Sequence, residues 1–467
     1  MRMPPISRFG LFLVCCSSFV STLPVAAQTY SWHRAQTLPA HSSWHSIAFN
    51  PRSNGRVIFA GSAGTDGVFR SDDGGITWGA GTNAPDNSMN DIHQLFCVPS
   101  DTNIVLAVTP NNFYRSTNGG YDWTSVSDLG GIDGEDIAYH QSDDAIYYGQ
   151  NFALQVWKSL DHGANWTATG QGANDSIGLC SLGISQDTPP TVIQGSEDSA
   201  GTPVGLLARS NDEGATWQVT MHSDTGQKDA EVPKVVFSYF ATNSKTGRRD
   251  IAIVTRTRSY PRSIVATDDG GVTWRTLSSP SRMTWGLDID QRAGMISKFG
   301  DAAYPLPLHF FVGFFFEDTT SPPAEGMVQE TTDGGATWHS TNFPSGGSAS
   351  PTVKQIWILK YDTLSGRIAV ATDSGVYVTD ATLGSVATEL TSNPTLRVSH
   401  LSGAIEIESD VPIQSLRLFD MIGRPVVSVS PHQSLYRMST TGLTAGIYAL
   451  EIMQTGGSRK TILLPIP

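Results

Sequence analysis

The chain has 467 residues, with 30 Lys and Arg against 43 Asp and Glu, for a net charge of −13. An acidic chain with no basic run repels phosphate backbones and anionic lipid, which excludes nucleic-acid and membrane-surface binding as primary functions. Its 46 glycines fall with Ser, Thr, Asp and Asn between short apolar runs, and no stretch sustains a helical period, so the expected fold is all-β.

Residues 1–27 read as a signal peptide. Arg2 and Arg8 supply a positive start, Phe9 to Val20 an apolar stretch too short to span a bilayer, and Val25-Ala26-Ala27 the small residues before cleavage. The mature chain then begins at Gln28 and is secreted or held at the cell surface. Cys15 and Cys16 raise a lipoprotein alternative, which Val14 and Cys15 fit poorly as preceding residues. Cys97 and Cys180 survive cleavage; they fall in non-neighbouring repeats and are expected as buried free thiols.

From residue 71 onward one pattern recurs six times: Ser/Thr, any, Asp, any, Gly, any, any, Trp. The copies run Ser71–Trp78, Ser116–Trp123, Ser159–Trp166, Ser210–Trp217, Thr267–Trp274 and Thr331–Trp338. The third position is Asp73, Asn118, Asp161, Asp212, Asp269 and Asp333. A carboxylate there accepts backbone N–H groups of its own turn. Glycine two residues on permits positive φ, and Trp buries a large ring against the neighbouring sheet. The tryptophans lie 43 to 64 residues apart, the length of a four-stranded propeller blade. Paired apolar strands precede each copy, such as 45–50 with 56–61, and 92–97 with 104–108.

These segments resemble the Asp-box (BNR) repeat of sialidases, sortilin-type receptors and several glycosidase and photosystem-assembly propellers, over residues 29–383. The resemblance implies that the six box residues are structural, on the blade periphery and away from the ligand face. A further unit starts at Gln355-Ile356-Trp357 and runs through Gly375-Val376-Tyr377, but it lacks the box glycine and tryptophan. Tyr30-Ser31-Trp32-His33 looks like its missing outer strand, so the expected fold is a seven-bladed β-propeller over 28–384, closed by its own N-terminus. The run Phe310-Phe311 and Phe314-Phe315-Phe316 reads as a buried strand, with an exposed aromatic platform as the alternative.

After a linker at 385–394, residues 395–467 change to short alternating strands without boxes, as in a small Ig-like β-sandwich of about seven strands. Asp420-x-x-Gly423-Arg424, Leu443-x-x-Gly446-Ile447-Tyr448 and the closing apolar strand are similar to the C-terminal sorting domain of the type IX secretion system of Bacteroidetes-like bacteria. That resemblance implies the export machinery as a partner. The terminus Leu464-Pro465-Ile466-Pro467 departs from the basic strand such domains often carry, and a carbohydrate-binding sandwich is the alternative.

Propeller ligands sit over the central channel, on loops entering the inner strands and loops between second and third strands. The candidates there are His45, Asp91, His93, Glu135, Asp136, Trp285 and Gln355 at inner-strand starts, and Asp66, Glu197, Asp198, Arg256, Arg258 and Asp373 on the second-to-third loops. No pair can be singled out as catalytic, because blades meet only in three dimensions. The early Arg-Ile-Pro motif of sialidases is absent, and no metal-binding, phosphate-binding or cofactor motif appears. The leading expectation is therefore a non-enzymatic propeller binding a glycan, peptide or protein. A glycoside hydrolase with two carboxylates on the channel face is the alternative.

Overall fold

The computed structural model describes residues 30–39, 43–80, 89–126, 129, 134–151, 155–171, 178–198, 205–222, 230–239, 248–257, 263–278, 280, 282–291, 309–315, 326–344, 353, 355–363, 365–380, 396–401, 404–419, 425–443, 446–455 and 459–466. The signal peptide, the 385–394 linker, Arg258, Phe316 and the Asp420–Arg424 turn lie outside them.

The regular elements are β-strands. Up to residue 380 they form antiparallel four-stranded units in chain order. The first is Trp44–Phe49, Ile58–Ser62, Val68–Ser71 and Gly79–Ala80, and the second begins with Gln94–Cys97. The third starts at Gly134–His140 and the sixth at Met283–Ile289. The fourth, starting at Gly178–Ile184, and the fifth, starting at Ala230–Phe237, are joined into one eight-stranded sheet. The join is a short antiparallel pairing of Glu197 with Glu231 and Asp198 with Ala230.

The last unit contains Ile356–Asp362, Arg367–Thr372 and Gly375–Thr379, and its fourth strand is Trp32–Arg34 from the other end of the chain. Trp32 donates its indole N–H to the Thr341 carbonyl at 2.9 Å and sets its ring edge-on to Phe343. First strands pack each against the next in chain order, and the last against the first. This closure ties the start of the chain to its last unit by main-chain pairing.

The repeated turns explain why the units stack. In the first copy Asp73 accepts backbone N–H groups of Ile76 and Thr77 and the Thr77 hydroxyl, while the Ser71 hydroxyl accepts the Gly75 N–H. Burial works against ionisation, but these hydrogen bonds outweigh it and hold Asp73, Asp161, Asp212, Asp269 and Asp333 below the usual carboxylate range. The third and seventh positions are chemically coupled. Thr216, Thr273 and Thr337 each donate a hydroxyl to their Asp, and Asn165 donates its amide to Asp161. In the second copy the roles invert: Asn118 donates its amide to Asp122 at 2.7 Å.

Gly75 has φ +90°, and a Cβ there would come within 2.7 Å of Val378 on the preceding unit. Glycine thus serves both turn and close approach. Trp78 lies in the apolar cluster with Ile358 and Ala369 of the last unit, and Trp123 in that with Phe59 of the first. Phe310–Phe315 is buried throughout, as the buried-strand reading expected. Cys97 is buried but Cys180 is half-buried; it faces a cavity instead of the core.

Residues 396–466 form a separate six-stranded sheet around Ile405, Ile407, Leu416, Leu418 and Leu450. Alternation in the sequence breaks into short apolar runs at 404–407 and 415–420, but they belong to one strand here, Ala404–Phe419. Its first half pairs with Leu396–Leu401 and Gln433–Ser439, its second with Pro425–Val429 and Gly446–Gln454. Register shifts between Glu408 and Ser415 let one strand change partners.

Candidate functional site

The first strands all begin at one end of the ring, and their opening residues line a cavity of about 270 Å³. His45 comes from the first unit, His93 and Gln94 from the second, Glu135 and Asp136 from the third, and Cys180 from the fourth. Glu231, Pro233 and Lys234 come from the fifth, Trp285 and Leu287 from the sixth, and Trp357 and Ile358 from the last. Asn151 and Glu197 enter from the ends of second strands.

One arc of the wall is acidic. Glu197 and Glu231 are cross-strand partners, so their Cα atoms lie roughly 4.5–5.5 Å apart and their side chains share a face. Gly178 makes room beneath them, since a Cβ there would stand 2.8 Å from Glu197 Oε1 and 2.3 Å from Asn151 Oδ1. Glu135 adjoins this arc, accepting the Asn151 amide at 3.4 Å.

The opposite arc is aromatic. Trp285 stacks on Phe315 with centroids 5.0 Å apart, and Trp357 meets both rings edge-on at 5.2 and 4.9 Å. His45 closes the arc, its ring 4.3 Å from that of Trp357. Between the arcs, Asp91 bridges two histidines, with His45 Nδ1 at 3.0 Å and His93 Nε2 at 3.4 Å. His93 Nδ1 reaches the Gly134 carbonyl at 3.1 Å. Burial works against the Asp91 carboxylate, but the hydrogen bonds from His45 and His93 prevail and hold its carboxyl well below the usual range.

The floor is polar. Lys234 Nζ binds both oxygens of Asp136, at 2.9 and 3.1 Å, and Asp136 also accepts the Leu182 N–H. Three residues beyond Trp285 and Trp357 on their strands stand Asp288 and Lys360. Burial raises the Asp288 carboxyl, which accepts the Tyr361 and Ile289 N–H groups, while burial and then Lys234 lower the Lys360 amine. Among the described residues no group of three or more His, Cys, Asp or Glu is placed to hold a metal ion.

Of the residues named from sequence, the structure brings His45, His93, Glu135, Asp136, Glu197 and Trp285 into this cavity, with Asp91 behind the histidines. Asp136 is spent on Lys234. Asp66, Asp198, Arg256, Gln355 and Asp373 do not line it. Asp198 pairs with Ala230, and Asp373 binds the backbone of Gln355 at the start of the last inner strand. Sequence reasoning missed Glu231, Lys234, Trp357, Gln94 and Asn151. Glu231 and Trp357 were within reach: both open an inner strand, as the chosen residues do. A larger cavity of about 480 Å³ between the fifth and sixth units, lined by Arg282, Phe314 and Trp338, presents no carboxylate among the described residues.

No family model matches the chain. A xyloglucanase of Paenibacillus sp is 24% identical over 214 residues, covering 38% of this chain and 21% of its own length. A xyloglucanase of Acetivibrio thermocellus is 26% identical over 216 residues, covering 39% and 25%. The chain thus spans about a quarter or less of the length of these curated relatives. Among solved structures, a GH74 enzyme of Niastella koreensis superposes with a TM-score of 0.54 at 14% identity, covering 94% of this chain and 68% of the other. The extracellular domain of a putative hybrid two-component system of B. thetaiotaomicron gives 0.56 at 12%, covering 93% and 53%. These likenesses establish a β-propeller fold. Among the described residues no helix is long and apolar enough to cross a membrane.

Proposed function

We propose that this chain is an exported glycoside hydrolase acting in the channel-mouth cavity. The observation that carries the reading is the meeting of Glu197, Glu231 and Glu135 with a tryptophan wall in one cavity. Carboxylates serve as nucleophile or base at an anomeric carbon, and indole faces stack on sugar rings. The xyloglucanase relatives support the hydrolase over the ligand-binding reading that the sequence alone favoured. In this reading the propeller is a seven-bladed Asp-box ring over 28–384, supported by the six turns and the Trp32–Arg34 closure. Residues 395–467 are an Ig-like sandwich addressed to type IX export, after removal of a signal peptide near Ala27.

The test is release of reducing ends from xyloglucan and a panel of other polysaccharides by the mature chain, alongside Glu231→Gln and Glu197→Gln. The expected result is turnover that falls by about 10²–10⁴-fold in at least one variant. Turnover of none of the substrates by the wild type, or wild-type turnover in both variants, overturns it. Tight glycan binding without hydrolysis would select the binding reading instead.

A further inference from the structure

We propose that His45, oriented by Asp91, is the general acid of this site and protonates the leaving oxygen of a glycoside held between the two arcs of the cavity. The inference rests on the hydrolase reading above and adds a residue that no carboxylate pairing would suggest.

The geometry is specific to His45. Its Nδ1 is held by Asp91 at 3.0 Å, so in the neutral ring Nδ1 carries the proton and Nε2 is the free nitrogen. That Nε2 takes no hydrogen bond from the described residues, and His45 lines the cavity. Trp357 at 4.3 Å limits rotation of the ring. His93 differs: both of its nitrogens face acceptors, Asp91 on one side and the Gly134 carbonyl on the other. It positions Asp91 and has no nitrogen left for a ligand.

Asp91 itself sits at φ +53°, a left-handed conformation that costs free energy in a residue with a side chain. Its N–H binds the Gly64 carbonyl at 3.0 Å, which anchors it between the first two units. Held in this place, its carboxylate takes the His45 and His93 hydrogen bonds that keep it ionised, the charge that stabilises an imidazolium.

Across the ring, the packing order of the inner strands sets the first unit opposite the junction of the fourth and fifth. His45 thus faces the Glu197–Glu231 pair over the width of the cavity. In the reaction His45 enters as the imidazolium, with one proton on Nδ1 toward Asp91 and one on Nε2. The bond from the anomeric carbon to the leaving oxygen breaks, and that oxygen takes the Nε2 proton, leaving the neutral Nδ1–H ring. A water oxygen ends on the anomeric carbon and the water's surplus proton on a carboxylate of the facing pair. Return of that proton to His45 restores both groups, and the net change is addition of one water.

The experiment uses the mature chain with His45→Gln, His45→Ala and Asp91→Asn. Two glycosides are compared, one with an acidic phenol leaving group that departs without protonation and one with an alkyl or sugar leaving group. The expected result is loss of about 10²–10⁴-fold on the second substrate in both His45 variants, with the first within about tenfold of wild type. Equal losses on both substrates, or retained activity on the second, overturn the proposal. An arm independent of turnover is the nitrogen NMR spectrum of histidine-labelled protein. It should show His45 with the proton on Nδ1 in the neutral ring, a preference that Asp91→Asn reduces; a neutral ring protonated on Nε2 instead overturns the proposal. Absence of all hydrolysis overturns the acid role together with the hydrolase reading. The NMR arm then separates the causes, since an intact Nδ1 tautomer means the reading failed and not the Asp91–His45 geometry.

Discussion

Replacing His309 by Gln should remove a pH-dependent share of the propeller's stability. His309 is buried between the sixth and last units, with Nδ1 3.1 Å from Asp290 and Nε2 3.0 Å from Glu330. Tyr30 donates to the same Glu330 oxygen at 2.5 Å, and Tyr361 donates to Asp290 at 3.2 Å. Burial works against the imidazolium, but the two carboxylates outweigh it and raise His309 from 6.5 to about 9. A folded-state value above the unfolded one means the stabilisation is complete below pH 6.5 and disappears as pH rises through 9. A shift of that size corresponds to roughly 3 kcal/mol. The assay is urea unfolding of the mature chain at pH 6 and pH 9.5, followed by tryptophan fluorescence. Wild type should lose about 3 kcal/mol more than His309→Gln over that interval. At pH 6 the variant should itself be weaker by about 3–5 kcal/mol, because two buried carboxylates lose their counter-ion. Identical pH dependence in the two proteins would refute the reasoning and leave His309 a neutral packing residue.

Three other outcomes follow from the repeats. Asn118→Asp makes the second turn match its five siblings, yet it should destabilise by about 1 kcal/mol, since it sets a carboxylate against Asp122; adding Asp122→Thr should restore stability, measured by thermal unfolding. Gly75→Ala should cost about 2 kcal/mol or more, from φ +90° and the Val378 contact, read as a lower urea midpoint. Trp32→Ala should cost about 3–5 kcal/mol and expose the last unit to limited proteolysis, because it empties the contact with Phe343 and the Thr341 hydrogen bond that hold the closing strand.

What the sequence by itself determined is the local chemistry repeated along the chain. A turn such as Ser71–Trp78 satisfies its own backbone within eight residues, so its signature survives in one dimension, and six copies imply stacked sheets. The stray Trp32 was legible for the same reason: it matches the strand that follows each box. The C-terminal strands were legible as alternation, although the merging of two into Ala404–Phe419 was not, because a strand that changes partners at a bulge looks like two strands and a loop. The site was decided by tertiary structure. Choosing inner-strand starts found His45, His93, Glu135 and Trp285, but Glu231, the second residue of the fifth unit's inner strand Ala230–Phe237, was passed over. Nothing local pairs Glu197 with Glu231, or sets either across from His45. Those distances depend on closing the ring, which sums the rotation of every unit, and only the packed whole expresses that sum.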